Sequence, residues 1–391
     1  MQKYTYLIVG GGMTADAAVR GIREIDPDGS IGVLTTEPDL PYNRPPLSKG
    51  LWKGESLDSI WCHTPEAGVV FHRQCTALAL DLPSKTVTAS EGATFSFDKL
   101  LLATGGDARR LPTISQRILY FRTLADYRKL RSWSESEERI CVLGGGFIGS
   151  EIAAALALNG KRVTLLFAET GIGGRIFPEE LCVFLNDYYH QKGVEVLARQ
   201  TVSAAEEQEG LLTIRLGQGT LSVNALVAGI GISPNVGLAK QARLAVENGI
   251  IVDEFLRTAH PDVYAAGDVA AFFNPALGQR VRFEHEDNAR HMGILAGRNM
   301  AGREEKYDHI PYFYSDLFDL GYEAVGLIDN RLEVFCDWKE RFRTGVIYYL
   351  DRRRVRGVLL WNVWGQVDAA RALLAEPGPF QPADLQGRIP S

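Results

Sequence analysis

Cysteine is scarce and unpatterned in this chain. The five cysteines (Cys62, Cys75, Cys141, Cys182 and Cys336) are odd in number and scattered over 391 residues. No C-x-x-C pair occurs, so neither a cysteine zinc site nor a disulfide scaffold is expected. They read as small buried hydrophobes, and no metal site is expected. An excess of basic residues is also missing. With 42 Lys and Arg against 48 Asp and Glu, the net charge is −6. That argues against nucleic acid as a partner, because phosphate binding needs a basic face. No apolar run approaches the roughly 18 residues of a membrane span. The run in "MQKYTYLIVGGG" is too short for a signal peptide and meets glycines at once. These absences point to a cytoplasmic protein with no membrane span; the expected assembly is monomer or homodimer, and the sequence does not decide between them.

Glycine is plentiful, with 40 residues, and 46% hydrophobic against 23% charged content is that of a globular chain. The length implies two or three domains. Two of the glycine clusters follow one plan. "VGGGMTA" places Gly10 and Gly12 in a G-x-G-x-x-G pattern, with Ala15 for the third glycine. "LGGGFIGSE" repeats it with Gly144, Gly146 and Gly149. Each follows a β-rich run, "KYTYLIV" or "RICVL", and opens an alanine-rich helical stretch, "ADAAVRGIREI" or "FIGSEIAAALAL". A second strand follows each helix and ends at an acid, Glu37 or Glu169. This is a βαβ unit of about 30 residues with its acid about 20 residues past the last glycine.

Each part has a physical task. The first glycine permits the tight turn, the second lets the backbone approach a pyrophosphate, and the third lets helix and strand pack closely. The helix N-terminus turns N–H groups and partial positive charge toward phosphates. The acid accepts hydrogen bonds from a ribose. Two such units imply two dinucleotides, and two dinucleotides imply redox chemistry.

Four further segments stand in order: "YNRPPLSKGLW" (42–52), read as a fixed loop; "LLLATGGDARRLP" (100–112) and "LVAGIGISPN" (226–235), each a strand breaking into a glycine turn; and "VYAAGDVA" (263–270), with Asp268 expected where a strand meets a helix. On these motifs the chain resembles the pyridine nucleotide-disulfide oxidoreductase superfamily. Within it, the ferredoxin reductase, apoptosis-inducing factor and monodehydroascorbate reductase branch is the nearest in pattern. The resemblance implies an α/β fold with two Rossmann-like domains and a C-terminal α+β domain. The FAD domain takes 1–108 and 240–305, the NAD domain 109–239 and the C-terminal domain 306–391.

By that resemblance FAD is held by Gly10, Gly12, Ala15, Glu37, Arg44, Lys49, the turn Ala103-Thr104-Gly105, Gly267, Asp268 and Glu284. The second cradle, with Glu169 and Gly231, holds NADH, and NADPH is disfavoured because a carboxylate repels a 2′-phosphate. Lys49 pairs with Glu151 beside the flavin; Tyr314 stacks near the nicotinamide with His285 as its neighbour. These four are the expected catalytic residues. Disulfide reductases of the superfamily carry a C-x-x-x-x-C pair where this chain has "RPPLSKG", without cysteine. Electrons therefore leave the flavin outward.

The expected activity is an FAD-dependent NADH oxidoreductase serving a one-electron acceptor such as a ferredoxin or rubredoxin. A redox-sensing protein of the apoptosis-inducing type and a reductase of a small radical or quinone are the alternatives. "GVIYYLDRRRVRGVLLWNV" reads as a hairpin whose Arg352, Arg353 and Arg354 read first as a solvated turn and second as a basic tip that could dock an acidic redox protein.

Overall fold

The computed structural model describes residues 1–64, 68–208 and 210–391. They cluster into two compact units: Met1–Asn43 with Leu57–Asp107 and Ser233–Pro311, and Arg44–Ser56 with Ala108–Ile232 and Tyr312–Ser391. Three helices position the site residues: α1, Met13–Arg23; α2, Phe147–Leu158; and α3, Glu286–Met300.

The first unit is built on a mixed seven-stranded sheet. At its centre Gln2–Val9 runs parallel to Ile31–Leu34 and to Thr94–Leu102, and Val263–Ala265 runs parallel to the latter. The apolar runs seen in the sequence are fully covered here; Leu7, Ile8, Leu100 and Leu101 have no exposure. Register brings Val9, Leu34, Leu102 and Ala265 to one level. The residues just beyond them, Gly10, Ala103 and Ala266, therefore share the carboxyl edge of the sheet, where ligands of open α/β sheets bind. Helices α1 and α3 pack without intervening side chains. A Cβ on Gly297 would lie 2.2 Å from the Ala18 carbonyl, and one on Gly21 would lie 2.1 Å from that of Ile294.

The second unit repeats the arrangement. Arg139–Leu143, Arg162–Leu166, Val194–Leu197, Ala225–Ala228 and Ile118–Tyr120 form an all-parallel sheet, with Leu143, Leu166 and Ala228 level at its carboxyl edge. A second, antiparallel sheet of five strands follows, in the order Tyr312–Leu317, Leu320–Gly326, Arg354–Trp361, Thr344–Asp351 and Glu333–Glu340. An aromatic cluster joins the two sheets. Phe147 at the start of α2 meets Phe313 at 4.8 Å, and Phe177 meets Tyr322 at 5.2 Å and Trp361 at 5.5 Å. The hairpin expected around "DRRRVR" is present, and Arg352 and Arg353 form its tip with positive φ values of 50° and 60°.

The two glycine turns are near copies. Gly10 (φ +117°) and Gly144 (φ +113°) both occupy a conformation that L side chains rarely adopt. A Cβ would sit 2.0 Å from the Ala103 carbonyl oxygen in the first and 2.3 Å from that of Gly229 in the second. The next cradle positions, Gly12 and Gly146, have ordinary φ values of −93° and −83° and nothing within 4 Å of a Cβ. Two substitutions therefore separate folding from binding. Gly10→Ala should destabilise the chain by about 2 kcal/mol or more, read by thermal melting of the apoprotein. Gly12→Ala should cost the apoprotein no more than about 1 kcal/mol as an N-cap change, yet lower FAD content by placing a methyl in the cradle. Full FAD occupancy in Gly12→Ala would contradict this reading.

Candidate active site

Both acids lie three residues past the strands they were expected to end. Ile31–Leu34 stops before Glu37 and Arg162–Leu166 stops before Glu169. The Tyr42 hydroxyl donates to Glu37 Oε2 at 2.5 Å, fixing the carboxylate. Glu169 Oε1 lies 2.7 Å from Nε of Arg175, whose side chain is 83% exposed. In the first unit the Ala103–Gly105 turn is clasped by Asn235: Thr104 Oγ1 donates to its carbonyl at 2.7 Å, and its amide N–H donates to Gly105 O at 2.9 Å. Gly231, in the second unit, has φ +88° and open space around a Cβ.

Asp268 departs from expectation. It lies in a single 3-10 turn, Gly267–Val269, which leads into the strand Ala270–Asn274 rather than into a helix. The turn is set by Gly267 (φ +76°), whose Cβ would lie 2.3 Å from Thr14 Oγ1 in the first turn of α1. The Asp268 carbonyl accepts from Arg282 Nη1 at 3.0 Å, and Arg282 Nη2 also pairs with Glu284 at 2.7 Å. His285 is the N-cap of α3, its ring tilted against Phe283. Burial pushes its imidazole down to about 4, against the opposing pull of Asp268 and Asp287, so it is neutral at pH 7.

The second unit gathers Lys49, Glu151 and Tyr314. The proline-rich segment expected as a fixed loop is wound into two 3-10 turns, Pro45–Leu47 and Gly50–Trp52, with Lys49 between them. Its neighbour Arg44 donates to the Arg122 carbonyl at 2.8 Å. Lys49 Nζ reaches Glu151 Oε1 at 2.7 Å, with the two side chains only 12% and 2% exposed. Ser315 Oγ donates to the same oxygen at 2.6 Å, and Ser48 Oγ donates to Oε2 at 2.6 Å. A buried carboxylate without partners would be strongly unfavourable; here an ammonium and two hydroxyls compensate it. The charge is felt nearby, since burial and Glu151 together hold the Tyr189 and Tyr322 phenols well above the usual tyrosine range. Lys49 Nζ also stands 5.2 Å from the ring centroid of Tyr314, which is 38% exposed.

Ser48 and Ser315 were missed in the sequence. Each is adjacent to an expected residue, Ser48 to Lys49 and Ser315 to Tyr314, but only the burial of Glu151, seen in the structure, marks them as its donors. Tyr42, Asn235 and Arg282 were missed as well. Asn235 meets its turn across 131 residues, and the short-range partners of Tyr42 and Arg282 belong to no motif spacing.

The residues fit two dinucleotides. Each cradle presses one glycine onto a neighbouring carbonyl while leaving open space over the next, at the N-terminus of α1 or α2, where a phosphate would be received. Among the described residues no helix is long and apolar enough to cross a membrane.

Comparison with known proteins gives the same answer. Residues 4–293 match the family model for pyridine nucleotide-disulphide oxidoreductases. Residues 296–340 and 336–376 match that for the C-terminal region of mitochondrion-associated apoptosis-inducing factor. The chain is 32% identical to the mitochondrial apoptosis-inducing factor 1 of Dictyostelium discoideum, over 96% of this chain and 79% of that protein. It is 33% identical to the ferredoxin–NAD(+) reductase component of the anthranilate 1,2-dioxygenase system of Burkholderia cepacia, over 97% of each. Its fold superposes on the reductase in the covalent putidaredoxin reductase–putidaredoxin complex with a TM-score of 0.90 at 26% identity, covering 98% of this chain and 95% of that one. With two cradles, their acids and a match over most of its length, the chain belongs to the pyridine nucleotide-disulphide oxidoreductase family, as an FAD-dependent NAD(P)H oxidoreductase.

Proposed function

We propose that this chain takes hydride from NADH onto FAD and delivers the electrons singly to an iron–sulfur protein of the ferredoxin type. The observation that carries this reading is the segment 44–52. It holds no cysteine, and in the place where a dithiol would act it presents Lys49 bound to buried Glu151. When bound, FAD accepts an electron pair and releases electrons one at a time, which is the chemistry a chain without that dithiol requires.

Gly10, Gly12, Ala15, Glu37, the turn Ala103–Gly105, Gly267 and Asp268 are assigned to FAD, with Arg44 and Glu284 as supporting residues. Gly144, Gly146, Gly149, Glu169 and Gly231 are assigned to the nicotinamide dinucleotide. Lys49 supplies a fixed positive charge to the redox centre, in a place made dry by its surroundings. Glu151 orients that charge, and Ser48 and Ser315 hold Glu151 in one rotamer. Tyr314 offers an exposed ring face, and neutral His285 serves as a hydrogen-bonding group rather than as an acid. A cytoplasmic location agrees with five cysteines that are all free thiols.

The ferredoxin–NAD(+) reductase component among the relatives supports the acceptor class. So does the second unit itself, which exposes Arg352 and Arg353 at a hairpin tip. A sensor reading has its own support in the match of residues 296–376 to the apoptosis-inducing factor model.

Cofactor choice follows from Glu169. NADH should outperform NADPH at least about tenfold in kcat/KM, about 1.4 kcal/mol. Glu169→Ala should shrink that gap, both by removing repulsion and by freeing Arg175 to meet a 2′-phosphate. Equal efficiency of the native enzyme with both cofactors would refute the assignment.

The acceptor is tested by mixing the NADH-reduced enzyme, without oxygen, with ferredoxin, rubredoxin, a quinone and the monodehydroascorbate radical. Ferredoxin should reoxidise it fastest, and the rate should fall as salt rises because screening weakens steering toward the arginine tip. A salt-independent preference for quinone or radical would replace the protein acceptor with a small molecule. Slow reoxidation by every acceptor would establish the sensor.

A further inference from the structure

Among the described residues, one group of His, Cys, Asp and Glu side chains could hold a metal ion. Asp287 lies in the first turn of α3, His291 one turn later on the same face, and His309 in the segment after the helix. Their ligand atoms all lie within 4.8 Å of one another. Asp287 Oδ2 is 2.5 Å from His309 Nε2, and Asp287 Oδ1 is 3.3 Å from His291 Nδ1. The imidazoles stack face to face, with ring centroids 3.7 Å apart and planes 15° from parallel. All three residues belong to the first unit.

We propose that Asp287, His291 and His309 form a binding site for a divalent transition-metal ion of the zinc class. Two imidazole nitrogens and one carboxylate oxygen are the donors that borderline ions such as Zn²⁺ and Co²⁺ select, whereas Ca²⁺ and Mg²⁺ select oxygen alone. A tetrahedral zinc with bonds of 2.0–2.1 Å needs donors about 3.3 Å apart. The Asp287 Oδ1–His291 Nδ1 pair already has that spacing, and the ion replaces both the 2.8 Å contact of His291 Nδ1 with the Asp287 carbonyl and the Asp287–His309 hydrogen bond. Imidazole lone pairs lie in the ring plane, so the two near-parallel rings turn apart for both nitrogens to reach one ion.

The backbone that carries His309 is held in advance, and its segment is tied to α3. The His309 carbonyl accepts from Asn274 Nδ2 at 2.9 Å, and the Tyr307 hydroxyl donates to Asn288 on α3 at 2.9 Å. Asp287 is 10% exposed and His309 18%, while His291 is 51% exposed. The ion thus enters from the His291 side and keeps a water there as fourth ligand. Its structural effect is to tie the segment around His309 to the start of α3.

The test uses the FAD-loaded enzyme, stripped with a chelator and equilibrated by dialysis against buffered Zn²⁺. Metal is measured by elemental analysis, and melting is followed with and without Zn²⁺. One tightly held zinc per chain and a zinc-dependent rise in Tm are expected. His291→Ala should weaken zinc binding at least tenfold and abolish the rise in Tm, with flavin content and the visible spectrum unchanged. His309→Ala should do the same, and a second variant at an unrelated histidine, His190→Ala, should bind zinc as the native chain does. Absence of stoichiometric zinc, or equal binding by native and His291→Ala proteins, would overturn the proposal. So would a lowered Tm in His309→Ala that is the same with and without zinc, since that describes an Asp–His hydrogen bond only.

Discussion

The contact between Lys49 and Glu151 sets the terms for the second unit. A carboxylate at 2% exposure survives only if every strong demand it makes on its surroundings is met on site. The chain meets them from three places: the junction of the two 3-10 turns, which carries Ser48 and Lys49, α2 that carries Glu151, and the strand Tyr312–Leu317 that carries Ser315. The segment 44–56 therefore keeps company with the middle and C-terminal parts of the chain rather than with its sequence neighbours. The ion pair contributes little net stability once desolvation is counted, but breaking it strands a buried charge. Such a pair specifies an arrangement more than it strengthens one. What it specifies is an ammonium held at one point beside an exposed aromatic ring.

A second constraint acts twice. In each sheet the first glycine turns the chain so tightly that the neighbouring strand's next carbonyl occupies the space a side chain would need. That contact fixes the distance between the strand end and the next helix, and it leaves the cradle open one position later. Duplication of this device, with φ values within a few degrees of each other at Gly10 and Gly144, is why one fold serves two dinucleotides.

Much of this was legible in the sequence because the βαβ unit is local. The helix at 147–158 has the same limits in sequence and structure, and the hairpin around 351–356 is where its β-rich flanks put it. Asp268 was misjudged because a glycine-aspartate turn after a strand resembles a helix start. The packing of Gly267 on Thr14, more than 250 residues away, decides otherwise. The serines around Glu151 and the Asp287–His309 contact were illegible for a related reason. Their partners meet through tertiary packing, and no spacing in the chain encodes them. Burial also divides the cysteines: Cys141 and Cys182 are buried as expected, while Cys62, Cys75 and Cys336 are only half-buried.

The central claim is that Lys49 and Glu151 act as one device in NADH oxidation. Rapid mixing of NADH with the native enzyme, Lys49→Met, Glu151→Gln and the double variant, monitored by the loss of flavin absorbance, tests it most directly. Each single substitution should slow flavin reduction, and the double variant should be slowed by clearly less than the product of the two, because coupled residues are not additive. Strictly multiplicative effects, or reduction at the native rate in either single variant, would contradict the account.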